Sequence, residues 1–342
     1  MPILPYSPED FDAVRAFASR RRVSILTHRE FVDYYYSTRS FCKLYLYLED
    51  KGNLVGTIGI ELLNFQYRGM EIVAGVASNF HVAVPGIGGY LYFHWVKTCP
   101  FSLEFGGSED AHKIVSQQRW TCFNGIKKFI LNYDYPVYPN NRWWSRAAKW
   151  AVRNATRKAI SKFASGIPRE VLTRISVREE HEYQKDLLPR QSPFDFRLAP
   201  SIEYLAWRYK LGLSFVRYRL FRVFSNSSTL GYVILSDFPD RIVVAQSDGD
   251  DPSGLAYGTL LSILEVARDD RKPRKVLLLS SHRQMQTLYE HFGFRPEQTD
   301  FFFALSSLRQ RIEIPLSTSS WLINYDWCDQ GLFDTVVPKS RT

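Results

Sequence analysis

The stretch KVLLLSSHRQMQTLYEHFGF, Lys275–Phe294, changes its apolar period halfway along. Val276–Leu279 is a short apolar run after a Pro-Arg break and reads as a buried strand. Beyond Ser281 the spacing becomes helical, with Met285, Leu288, Tyr289 and Phe292 on one face. Gly293 falls where a left-handed helix cap is expected, and Phe301–Leu305 offers the next strand. Upstream, Leu230–Leu235 and Arg241–Gln246 read as a strand pair across a Phe-Pro-Asp turn. A helix follows, with Ala256, Leu260, Leu264 and Ala267 on one face. Strands interleaved with helices in this order predict an α/β fold built on a mixed sheet.

The first part of the chain repeats the order. Ser7 caps a helix over about Pro8–Arg20, and Thr27 with Glu30 forms a capping box for a second helix. Strands are expected at Lys43–Leu48, Leu54–Leu62, Met70–Ala77 with Phe80–Val84, Phe101–Phe105 and Lys127–Asn132. Helices are expected at Tyr90–Thr98 and Glu109–Gln118. The chain therefore reads as a tandem repeat, divided into 1–138, a basic linker 139–172, a second domain 173–305 and a tail 306–342.

Leu288, Tyr289, Gly293 and Phe294, in the spacing Leu-Tyr, three residues, Gly-Phe, resemble the GNAT (GCN5-related N-acetyltransferase) superfamily. The phrases EYLAWRY (203–209), GYVILSD (231–237) and FGGSEDAHKIVSQQRW (105–120) look like tandem GNAT proteins associated with bacterial surface polysaccharides. The resemblance implies an acyl-CoA co-substrate, acetyl-CoA first, bound where two parallel strands part. Its pyrophosphate would meet a glycine-containing helix start. Gly86, Gly88 and Gly89 fit that loop in the first domain, with Ala83 in place of the family's polar residue. Ser253, Gly254 and Ala256 fit it in the second, where Asp251 puts a carboxylate beside the expected phosphate. The resemblance also implies Tyr289 as the acid that protonates the leaving thiolate, with His282 near the cofactor. A phenol is protonated at neutral pH, as that role requires. Glu104, Asp237, Asp248 and His282 stand open as the base. The bland reading of Tyr289 is a core aromatic on an amphipathic helix. Ser108, in a strand-to-helix setting, reads as a helix cap or a cofactor contact.

Composition narrows the classes. With 342 residues, 45% of them apolar and 23% charged, the chain is globular and long enough for two cores. Four scattered cysteines give neither a disulfide framework nor a zinc site, so no metal is expected. No apolar run approaches the roughly 18–20 residues that span a bilayer. The start of the chain lacks a secretory signal, which makes a cytoplasmic position the expectation.

The net charge of +9 is concentrated between Asp134 and Glu170, a span without an acidic residue. Arg142, Arg146, Lys149, Arg153 and Arg157 form a helical stripe beside Trp143, Trp144 and Trp150. Such a segment fits peripheral contact with an anionic membrane face, or a helix packed between domains. The leading expectation is an N-acyltransferase acting on an amine, an amino sugar for polysaccharide assembly being the substrate the resemblance suggests. Two alternatives stand beside it. One is a FemX-like aminoacyltransferase in which the linker meets tRNA; no other nucleic acid is expected as a partner. The other is a non-catalytic GNAT pair that scaffolds an assembly at the membrane.

Overall fold

Alternating and continuous apolar runs become strands, and the periodic stretches become helices, in a computed structural model that describes residues 3–49, 52–132, 165–268, 274–306, 314 and 316–327. In chain order the first part holds β1 (Ile3–Pro5), α1 (Phe11–Arg21), α2 (Arg29–Ser37), β2 (Cys42–Leu48), β3 (Leu54–Tyr67) and β4 (Met70–Val82). Then come α3 (Ile87–Thr98), β5 (Phe101–Phe105), α4 (Glu109–Gln117), β6 (Thr121–Phe123) and β7 (Lys127–Asn132). The second part holds α5 (Arg169–Arg174), β8 (Ile175–Glu180), β9 (Phe196–Leu198), α6 (Ile202–Arg208), β10 (Tyr218–Ser225), β11 (Ser228–Asp237) and β12 (Arg241–Gly249). It finishes with α7 (Pro252–Ala267), β13 (Lys275–Ser280), α8 (Arg283–His291), β14 (Arg295–Pro296) and β15 (Phe303–Ser306).

Two sheets result, and their plans are the same. The first runs β1-β2-β3-β4-β5-β15-β6, and the second runs β8-β10-β11-β12-β13-β7-β14. In each, one pair is parallel, β4 with β5 and β12 with β13, and its neighbours are antiparallel. The sixth position is exchanged. β7 follows β6 in sequence yet pairs with β13 from Lys275↔Asn132 to Ser280↔Lys127. β15 follows β14 yet lies between β5 and β6, pairing Phe303 with both Phe105 and Phe123. Boundaries at residues 138 and 305 thus do not separate the sheets. β9 adds a further tie by pairing Phe196–Leu198 with Phe65–Tyr67 of β3.

The helices cover the sheets by their apolar faces. α1 buries Phe11, Val14, Phe17 and Ala18 and ends at Arg22 in the left-handed region. α2 begins at His28 without a side-chain cap, so the expected Thr27–Glu30 box is not used. α7 is buried on nearly every side and lies close against β10: a Cβ on Gly258 would come 2.5 Å from Val223 Cγ1. One apolar cluster fills the space between the two sheets, joining Phe65, Phe105, Phe196, Phe303, Trp321 and Trp327. A second lies under α7 and α8, and a third under α3 and α4. Within the tail, Ser317–Trp327 packs against both sheets. Trp321 stacks near Phe123 and Phe196, with centroids 4.8 and 4.6 Å away.

Candidate functional site

Both sheets open at the same place. β4 and β5 pair through Val76↔Leu103, and β12 and β13 through Val243↔Leu277; beyond these points the partners diverge. A register shift follows directly in each case. In β4 it centres on Asn79 (φ 47°), whose Nδ2 donates to Tyr36 Oη at 2.7 Å. In β12 it leaves Ala245 unopposed between Val244 and Gln246. A bulge turns a strand and strengthens its twist, which parts parallel neighbours and creates a crevice at their C-terminal ends.

The helix entering each crevice starts differently. α3 starts at Ile87 after Gly86, whose φ of 86° favours glycine, and no side chain caps it. The helix therefore begins three residues before the expected Tyr90. Gly88 and Gly89 lie in its first turn, and open space surrounds the Cβ positions of Gly86, Gly88 and Gly89. Free amides and the helix dipole here favour an anion. At α7 the same position is filled from within. Asp251 accepts from Ser253 N at 3.1 Å and Gly254 N at 2.9 Å, with the Arg174 guanidinium 3.8 Å from its carboxylate. Ala256 is buried against the sheet.

A cleft of about 490 Å³ lies between the starts of α7 and α8, lined by Ser253, Tyr257, His282, Arg283, Gln284 and neighbours. Gln284 Nε2 donates to Ser253 Oγ at 2.5 Å. His282 precedes α8, packs edge-on against Phe194 at 5.4 Å, and is held below the ordinary histidine pKa by burial. Tyr289 does not reach this cleft. It is 3% exposed in the cluster beneath α7 and α8, with Phe294 5.7 Å away and a hydrogen bond to Thr259. Burial raises its pKa. Tyr289 and His282 are thus placed apart, one in the core and one at the cleft.

The candidate bases also separate. Asp237 lies at the far end of β11, paired with Arg274 at 2.5 Å and Arg217 at 3.4 Å. Asp248 is fully buried against Arg197 and accepts from Gly249 N at 2.9 Å; burial pushes its carboxyl up to about 7 despite the opposing guanidinium. Glu104 is the first residue of β5 past the parallel pairing and is buried there. Its carboxylate lies over Gly107, whose φ of 90° and tight spacing suit glycine alone. Tyr92, absent from the sequence reading, is the phenol beside it. Burial raises the Tyr92 pKa, a bond from Trp120 Nε1 at 2.8 Å opposes this, and the Glu104 charge adds to the rise. Tyr92 is masked in sequence because it continues the apolar face of α3. Ser108 caps α4, accepting from Ala111 N at 3.3 Å.

His81, near the end of β4, is pushed down to about 4 by burial and then by Arg21. An unfolded histidine titrates near 6.5. Its contribution is complete above that pH and is lost as pH falls towards 4, because only the unfolded chain then gains the proton. Urea unfolding at pH 7 and pH 4.5 is expected to show the protein losing about 2 kcal/mol more than His81→Leu, after discounting for partial solvent screening. Equal losses would remove His81 as the cause.

No family model matches the chain, and no curated protein matches it by sequence. Solved structures are similar in fold. A GCN5-related N-acetyltransferase from Anabaena variabilis superposes with a TM-score of 0.52 at 10% identity, over 89% of this chain and 72% of that one. One from Kribbella flavida gives 0.50 at 11%, over 90% and 72%. Saccharomyces cerevisiae N-myristoyltransferase, with bound myristoyl-CoA, gives 0.54 at 8%, over 90% and 78%. The protein has the GNAT fold, present twice, as expected from Lys275–Phe294 in the second half and from the repeated element order in the first. Among the described residues no helix is long and apolar enough to cross a membrane, and no cluster of ligating side chains could hold a metal ion. The basic stripe from Arg142 to Arg157 lies outside the described residues.

Proposed function

We propose that the protein is an acyl-CoA-dependent N-acyltransferase whose cofactor lies in the first half. The observation that carries this is the contrast between the two helix starts. α3 offers uncapped amides and three open glycines at a parted strand pair, whereas Asp251 already fills the equivalent place at α7. In this reading the amine nitrogen attacks the thioester carbonyl, the C–S bond breaks, and coenzyme A leaves as the thiolate. Glu104 takes the proton lost by the amine, directly or through one water. Tyr289 and Thr259 hold the core of the second half. The sequence resemblance supports an amino sugar as acceptor, acetyl as the acyl group, and a role in surface-polysaccharide assembly. Peripheral membrane contact through Arg142, Trp143, Trp144, Arg146, Lys149, Trp150 and Arg153, from the cytoplasmic side, completes the reading.

Calorimetry with acetyl-CoA tests it. Gly88→Asp sets a carboxylate at the start of α3, as Asp251 does at α7, and is expected to weaken binding at least tenfold. Glu104→Gln is expected to keep binding and to lower turnover by roughly 10² to 10⁴. No heat of binding at millimolar acetyl-CoA would overturn the proposal.

A further inference from the structure

The crevice of the second half is occupied by the chain itself. Beyond Val243 the free edge of β12 faces Thr318–Trp327, which is bonded to both lips of the opening. On the β12 side, Asn324 Oδ1 accepts from Ser247 N and from Ser247 Oγ, each at 3.0 Å. Asn324 Nδ2 donates to Ser247 O at 3.0 Å. Asp326 N donates to Ala245 O at 3.1 Å, and Trp327 Nε1 to Gln246 Oε1 at 3.2 Å. On the β13 side, Ser281 Oγ donates to Trp321 O and Arg283 N to Ser319 O, both at 3.0 Å. Asn324, Ser247, Trp321, Ile323 and Trp327 are all buried.

These bonds use the atoms that a cofactor arm would need. The pantetheine arm of coenzyme A is an extended chain with two amides, and an unpaired strand edge is its natural partner. The Asn324 carboxamide gives Ser247 one acceptor and one donor, as such an amide does. Asp251 meanwhile takes the amides of Ser253 and Gly254, where a pyrophosphate would sit. Segment and cofactor compete for one set of backbone groups, and the segment has them.

The same segment reaches the first half. The Trp327 ring lies 4.9 Å from Phe65 and 5.7 Å from Phe105, the residue after Glu104 on β5. Asp326 pairs with Arg208, which also meets Glu61 of β3. We infer that the cofactor crevice of the second half is a peptide seat for residues 318–327, and that through this seat the second half positions the end of β5. The protein accordingly takes one acyl-CoA per chain. The count of one rests on the first-half reading above; the seat itself does not.

Hydrogen exchange and calorimetry on the full chain separate the two. In the ligand-free protein, peptides covering 318–327 and 244–249 are expected to be protected together, and Asn324→Ala to raise exchange in both at least tenfold while the circular dichroism stays native. Acetyl-CoA is expected to bind at one equivalent without raising exchange in either peptide. Rapid exchange of 318–327 in the unaltered protein, or Asn324→Ala exchanging as the unaltered protein does, overturns the seat. Two equivalents bound, or release of 318–327 on adding acetyl-CoA, overturns it as well. Absence of any acetyl-CoA binding overturns the first-half reading and leaves the exchange results to decide the seat. If Asn324→Ala fails to fold, protection in the unaltered protein, with and without acetyl-CoA, decides alone.

Discussion

Cutting the chain between residues 138 and 165 and expressing the pieces separately is expected to give two polypeptides that do not fold, whereas their co-expression gives a folded complex. Each piece carries a strand that the other sheet requires. Without β15, β6 loses its only strand partner in the described sheet, and β5 becomes an edge bearing Phe101, Leu103 and Phe105. Phe303 and Ala304 are completely buried and Leu305 nearly so. Burying a Phe or Leu side chain stabilises by about 1.5–3 kcal/mol, so those two alone supply roughly 3–6 kcal/mol. That approaches the whole stability of an ordinary domain, about 5–15 kcal/mol. The second piece loses β7 with its six-residue register to β13, the fully buried Phe129, and the strand on which β14 rests. An exposed apolar edge also pairs readily with other chains, so aggregation is the expected fate. Circular dichroism and urea titration of each piece check this. A cooperative, native-like transition in either piece alone would contradict it.

The exchange could not be read from the sequence, although the fold could. Lys275–Phe294 revealed a strand, a helix and a cap because each depends on neighbours a few residues away, and Gly293 does adopt φ 85°. Strand partnership carries no such local mark. Lys127–Asn132 and Phe303–Ser306 are short apolar strands that suit the sixth position of either sheet. The start of α3 was missed because three glycines near it lower helix propensity. Burial of Leu91, Tyr92, Trp95 and Val96 outweighs that cost and carries the helix back to Ile87.

Site residues were legible to different degrees for equally physical reasons. Asp251, ahead of Pro252, has the position and chemistry of a helix cap, and its conflict with a bound phosphate was visible at once. Tyr289 was legible as helical but its direction was not. It shares with Met285 the face that turns to the core, so the bland reading describes its position. Asn324 belongs to an aperiodic segment. Its one signal is polar residues at 324 and 326 set among Trp321, Leu322, Ile323, Tyr325 and Trp327, since buried polar groups there need partners. Finding Ser247 as that partner required the fold.

Arg208→Ala is expected to destabilise the protein by about 3–5 kcal/mol, the cost of leaving buried charges without their counter-ion. The guanidinium is buried where three segments meet. Nη2 lies 2.9 Å from Asp326 of the C-terminal segment and Nε 3.3 Å from Glu61 of β3, while Nη1 donates to Tyr218 Oη at 3.4 Å. Glu61 also accepts from Tyr35 at 2.9 Å and Tyr204 at 2.6 Å. Burial alone would lower the arginine pKa, but Asp326, followed by Tyr35 and Glu61, raises it further, so the group stays charged. Its removal leaves the Asp326 and Glu61 carboxylates buried without this counter-ion. Arg208→Lys keeps the charge but loses the planar fork, and should fall between the two. The pH dependence identifies the cause. Unpaired buried carboxylates take up protons more readily than in the unfolded chain, so the deficit of Arg208→Ala should shrink as pH falls from 8 towards 5. A lost packing contact would give a deficit independent of pH. Urea midpoints of the three proteins at both pH values distinguish these outcomes, and a flat deficit, or one below about 1 kcal/mol, would mean that the network does not hold the halves together.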